Sequence, residues 1–95
     1  MTTFPEIDIY VTVNGTTFDV LFNIDTYDDS SAEIWNLQIV EDGEYRDATE
    51  EEFNLIVWHL ETKEAERLNA IINQPKIYTF WTKLYPVSEE KREAA

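Results

Sequence analysis

Residues 7–13, IDIYVTV, alternate strictly between apolar and polar positions, the period of a half-buried strand. Ile7, Ile9, Val11 and Val13 fall on one face. A second run, TTFDVLFNID over residues 16–25, puts Phe18, Val20, Phe22 and Ile24 on one face. Between the two runs stands Asn14-Gly15, the pair favoured by a type I′ turn because both central positions need positive φ. A two-residue loop pairs Val13 with Thr16. Val11 then meets Phe18, Ile9 meets Val20 and Ile7 meets Phe22, so the apolar faces coincide without adjustment. The opposite face carries Asp8, Tyr10, Thr12, Thr17, Asp19, Leu21, Asn23 and Asp25. The polar stretch 26–31, TYDDSS, reads as a loop. A third strand is expected over 34–40, with Trp35, Leu37 and Ile39 pointing one way and Asn36 and Gln38 the other. Asp42-Gly43 is a second tight turn, and residues 44–46 fit a short return strand.

After Ala48 the period changes. Thr49 and Glu52 stand in the S/T-x-x-E relation of a capping box, Ala48 and Phe53 in that of a hydrophobic staple. Glu50, Glu51 and Glu52 fill the first turn, where the helix dipole favours negative charge. Phe53, Ile56, Val57 and Leu60 follow the i, i+3, i+4, i+7 spacing of a helix, and the stripe runs on to Leu68, Ile71 and Ile72. The pattern fits one long helix or two with a break near Glu61–Thr62, where Thr62 would cap the second; Pro75 ends it. Residues 76–85, KIYTFWTKLY, read as a last strand closed by Pro86. The expected fold is α+β: an antiparallel sheet of three to five strands built on the N-terminal hairpin, with one or two helices packed on one face. Residues 1–87 form the expected single domain and 88–95 a charged tail.

Composition changes this picture in one respect. The 95 residues carry a formal charge of −13, yet 43% are hydrophobic and three Trp, five Tyr and five Phe supply a core. Fourteen of the twenty acids lie in residues 1–52 with Arg46 as the only base there, so the first half carries all the net charge. Such a chain is disfavoured as a direct ligand of nucleic acid or of anionic membranes. No apolar run reaches the length of a transmembrane helix, and the N-terminus has no signal-peptide pattern. The absence of cysteine removes disulfides, thiolate metal sites and a cysteine nucleophile. The expected location is the cytoplasm.

Candidate chemistry is sparse. His59, the only histidine, has neither cysteine nor a second histidine to complete a catalytic or metal site, so a structural or surface role is favoured. Asp25, Asp28 and Asp29 lack the spacing and the closing glutamate of an EF-hand loop, and a solvated acidic loop is the simpler reading. Both glycines belong to turns, leaving no phosphate-cradling loop. The chain therefore reads as non-enzymatic, with no cofactor and no metal. What remains is the acidic set, which can imitate the charge of a nucleic-acid backbone and compete for the basic cleft of a nucleic-acid-binding protein. The candidate partner-binding residues are Asp19, Asp25, Tyr27, Asp28, Asp29, Glu41, Asp42, Glu44, Tyr45, Glu50, Glu51 and Glu52, with Tyr10 and Trp58 as further aromatic anchors. The simpler alternative assigns the charge to solubility and Trp58 to the core. Thirteen aromatics also exceed what one helix over one sheet readily covers, which points to a homodimer contact or a docking place.

Asn14-Gly15, Asp42-Gly43 and Thr49–Glu52 together give an N-terminal hairpin, a D-G turn and a T-E-E-E helix start. In this the chain resembles small acidic proteins encoded by bacteriophages, several of which inhibit host defence or host transcription, some as nucleic-acid mimics. The resemblance implies a phage or mobile-element inhibitor that acts in the host cytoplasm on a basic, nucleic-acid-binding host protein. The alternative is a structural or accessory protein that assembles through an aromatic surface.

Overall fold

The computed structural model describes residues 1–82. The order of elements is β1 (Thr2–Val13), β2 (Thr16–Thr26), β3 (Ser31–Glu41), β4 (Glu44–Asp47), α1 (Glu50–Thr62), α2 (Ala65–Ile72) and β5 (Thr79–Thr82). The expected α+β fold is found, an antiparallel meander β1-β2-β3-β4 with both helices on one face. One departure concerns β5. It runs parallel to β3 along Ser31–Ile34, on the same edge that β4 occupies along Gln38–Glu41. The expected last strand is shorter than 76–85 at its start, because residues 76–78 are not strand. Its end beyond Thr82, and the tail 88–95, lie outside the described residues.

The first hairpin has the register that its faces dictate, Val13↔Thr16 through Ile7↔Phe22. Asn14 and Gly15 have φ of 51° and 81°, and Asp42 and Gly43 have 54° and 78°, so both tight turns adopt the positive φ that selects these residue types. β1 also extends back to Thr2, past Pro5, through a bulge at Glu6 (φ 54°), whose N–H donates to Asn23 Oδ1 at 2.8 Å. Proline and a bulge are tolerated there because β1 is an edge strand.

A second bulge corrects the expected facing of β3. Asn23 pairs with Trp35 and Leu21 with Gln38, so β3 supplies Asn36 and Leu37 where β2 supplies only Phe22. Asn36 takes φ of 56°, a conformation that asparagine accepts more readily than most residues. The extra residue reverses the alternation. Ile34, Leu37 and Ile39 enter the core, while Trp35 does not join Leu37 and Ile39 but lies half-buried on the other side. The bulge falls between the stretches of β3 that pair with β5 and with β4.

The core lies between the sheet and the helices: Ile7, Ile9, Val11, Val20, Phe22, Ile24, Ile34, Leu37 and Ile39 from the sheet, Phe53, Ile56, Leu60, Leu68 and Ile72 from the helices. α1 begins with the expected capping box, and Ala48 and Phe53 are both buried. The helical stretch is two helices, but Thr62 does not cap the second. Its hydroxyl donates back to Trp58 O at 2.7 Å, and the break falls at Lys63–Glu64. Glu64 precedes α2 without a side-chain cap; its carboxylate instead meets His59 Nε2 at 2.8 Å. His59 is thus a structural pin across the break. α2 ends on Asn73 (φ 49°), two residues before Pro75. Asn69 then fixes the return to β5, accepting from Tyr78 N–H at 2.8 Å and donating to Tyr78 O at 3.1 Å.

Candidate protein interface

The helices cover one face of the sheet, and the acids distribute over the rest in a way set by β3. At its N-terminal end stand Asp25, Tyr27, Asp28 and Asp29; at its C-terminal end stand Asp19, Glu41, Asp42 and Glu44, with Glu50–Glu52 just beyond. At about 3.3 Å per residue the turns at the two ends of β3 are roughly 30 Å apart, and Asp19 and Asp25, on one strand, roughly 20 Å. The structure therefore divides the sequence-nominated acids into two clusters instead of one stripe.

In the first cluster several groups already have partners. Tyr27 Oη donates to Glu33 Oε1 at 2.9 Å, and this bond, with burial and the nearby charge, raises the Tyr27 pKa. Thr3 donates to Asp25 at 2.8 Å. Asp29 accepts from the Ser31 hydroxyl at 2.6 Å and its N–H at 3.0 Å, which lowers the Asp29 pKa. Glu33 is buried on this side of the sheet, a feature that its place in a polar–apolar run did not reveal. Asp28 is exposed, and its carbonyl accepts from Lys76 Nζ at 2.9 Å.

In the second cluster, β2–β3 pairing stops at Val20↔Ile39 while both strands continue. The gap is a crevice of about 470 Å³ whose lining includes Tyr10, Asp19, Val40, Glu41, Asp42 and, on the helix side, Arg46 and Glu52. Arg46, the one base of the first half, is committed to this wall: it donates to Glu52 Oε1 at 2.8 Å and Oε2 at 3.0 Å and to Glu41 Oε1 at 3.3 Å. That fork of hydrogen bonds, together with the Thr49 cap, holds the Glu52 pKa down at about 2. Glu52 is therefore a structural carboxylate more than a free one. Glu41, Asp42, Glu44, Glu50 and Glu51 are exposed, as is Tyr45.

Asp19 differs from its neighbours. Its Oδ1 is shielded from solvent with no donor when ionised. Hydrogen bonding to the Asp8 carboxyl, then burial, then the Asp8 charge raise its pKa, since a shared proton would supply the missing donor. Asp8 was not among the nominated residues, although it is Asp19's diagonal neighbour across β1–β2 and the register alone places it there.

Of the aromatic candidates, Tyr10 and Tyr45 are 65% and 64% exposed on the helix-free face. Trp58 is not core: it is 56% exposed on α1, with Lys63 Nζ 5.7 Å from its ring centroid. Among the described residues no group of three or more His, Asp or Glu side chains is placed to hold a metal ion. No helix of the described residues is long and apolar enough to cross a membrane. Comparison with family models, with characterised proteins and with solved structures found no match to this chain.

Proposed function

We propose that this protein is a non-enzymatic, protein-binding inhibitor that uses its acidic surface to occupy a basic site on a nucleic-acid-handling protein. The observation that carries the reading is the placement of charge. Exposed carboxylates stand on rigid strands and tight turns at both ends of β3, while the one base of this half is neutralised by Glu52 and Glu41. A fixed array of this sign, in which the carboxylates outnumber Arg46 and Lys76, attracts a basic cleft over distances comparable with the Debye length. It would compete with the polyanion that the cleft normally holds. The resemblance to small acidic phage proteins adds a phage or mobile-element origin and the host cytoplasm as the place of action.

The test is capture of binding proteins from bacterial lysate on the immobilised chain at low salt, followed by elution with duplex DNA or with high salt. Retention of a nucleic-acid-binding protein that added DNA displaces supports competition for one site. Recovery of the protein itself alone, whatever the salt, would overturn it and favour assembly through an aromatic surface. That second reading is supported by the exposure of Trp58, Leu55, Ile71 and Ile77 on the helical side.

A further inference from the structure

The helix-free face of the sheet has an order that neither acidic cluster shows by itself. Asp8 pairs with Leu21, Leu21 with Gln38, and Gln38 with Asp47, so these four stand in one row across four strands. In the next row Tyr10 pairs with Asp19 on one side and Val40 with Tyr45 on the other. Asp19 and Val40 are the residues immediately past the last β2–β3 pair. Each row thus has a half-buried centre, Leu21 and Gln38 or Asp19 and Val40, and an exposed pair at its ends. The end pairs are two aspartates and two tyrosines. With paired strands about 4.8 Å apart, Asp8 and Asp47 are roughly 14 Å from one another, while Tyr10 and Tyr45 flank the gap where β2 and β3 part.

We infer that this face, framed by Tyr10, Tyr45, Asp8 and Asp47 around Asp19, is the docking surface, and that its occupant is an arginine-bearing basic surface of another protein. The inference rests on the function proposed above and locates it. Charge complementarity selects the occupant. Among the described residues each lysine and arginine is already engaged: Arg46 with Glu52 and Glu41 at the wall of the crevice beside Asp19, Lys63 over Trp58, Arg67 with Glu64 and the Tyr10 carbonyl at the edge of β1, Lys76 with the turn at Asp28. A second copy of the chain would bring aspartates against aspartates, which disfavours a face-to-face dimer. Exposed tyrosine rings beside carboxylates suit arginine better than lysine. The planar guanidinium stacks on a ring and forks to a carboxylate at once, whereas an ammonium is a strongly hydrated point charge. The partly apolar centre supplies the desolvated middle that binding surfaces need.

The experiment titrates the full chain at low salt with two defined probes, deca-arginine and deca-lysine, and follows the backbone amide shifts. Deca-arginine is expected to bind more tightly and to move the amides of Tyr10, Asp19, Leu21, Gln38 and Tyr45. Tyr10→Ala and Tyr45→Ala should each weaken it about two- to fivefold. Two charge-matched variants separate place from total charge: Asp8→Asn with Asp47→Asn should weaken binding more than Glu50→Gln with Glu51→Gln. Equal losses in the two, or shifts confined to residues 28–31 and 41–44, would overturn the docking surface while leaving an acidic binder. A dimer that Tyr10→Ala disperses would replace the basic partner with a second copy. If neither peptide binds at low salt, the acidic-inhibitor reading itself fails.

Discussion

Replacing Glu52 with glutamine removes one charge from the ion pair with Arg46 and leaves the capping box able to form, because glutamine also accepts from the Thr49 N–H. The fall of the Glu52 pKa from 4.5 to about 2 sets an upper bound of about 3 kcal/mol on what the folded state gains from the ionised form. The Glu52 and Arg46 side chains are 22% and 36% exposed, so water screens part of this, and roughly 1–2 kcal/mol is expected at neutral pH. For a domain of this size that lowers the melting temperature by about 5–15 °C. The pH dependence identifies the cause. A carboxylate whose folded pKa is depressed stabilises the fold above its unfolded pKa and loses that contribution as pH falls through the folded value. The difference between parent and Glu52→Gln should therefore be complete above pH 4.5 and shrink toward zero near pH 2. Mutual repulsion among the remaining acids fades in both proteins alike and cancels in the comparison. Urea unfolding followed by tryptophan fluorescence at pH 7, 4 and 2.5 measures this directly. A gap between the two proteins that stays constant over that range would refute the ion-pair argument. Arg46→Met should cost at least as much at pH 7, since it leaves both Glu52 and Glu41 without their cation.

Other consequences can be checked with the same unfolding assay. Asp19 has a raised pKa, so its ionised form is disfavoured in the fold and stability falls as pH rises through that value. Asp19→Asn should melt higher than the parent at pH 7 and show no advantage below pH 3.8; a lower melting temperature at pH 7 would contradict the argument. Asn36→Val forces a β-branched residue into positive φ at the bulge and should cost about 1–2 kcal/mol, whereas Asn36→Gly should leave stability near the parent's. Asn69→Ala leaves the N–H and C=O of Tyr78 without their partner, with an expected loss of about 1–3 kcal/mol. Hydrogen exchange at the Tyr78 amide should accelerate in that variant, and unchanged protection would show that β5 is held by other contacts.

Local patterns determined much of this protein. The Asn14-Gly15 turn and the matching faces of β1 and β2 leave one register available, because a slip of one residue would send Ile7, Ile9 and Val11 to solvent. Thr49–Glu52 fixes the start of α1 within four residues of chain, and Asp42-Gly43 fixes the β3–β4 turn for the same local reason. What required the tertiary structure depends on residues far apart in sequence. The bulge at Asn36 reverses Trp35 because β3 must match β2 on one edge and both β4 and β5 on the other. The parallel placement of β5 follows from where two packed helices return the chain, and no turn signal encodes that. His59 and Glu64 look unrelated until the helix break brings them to 2.8 Å. The acids were legible as a charge, but their separation into two clusters, the commitment of Glu52 to Arg46 and the rows of Asp8, Tyr10, Asp19, Tyr45 and Asp47 were not. Charge is a property of composition, whereas a binding surface is a property of register across strands.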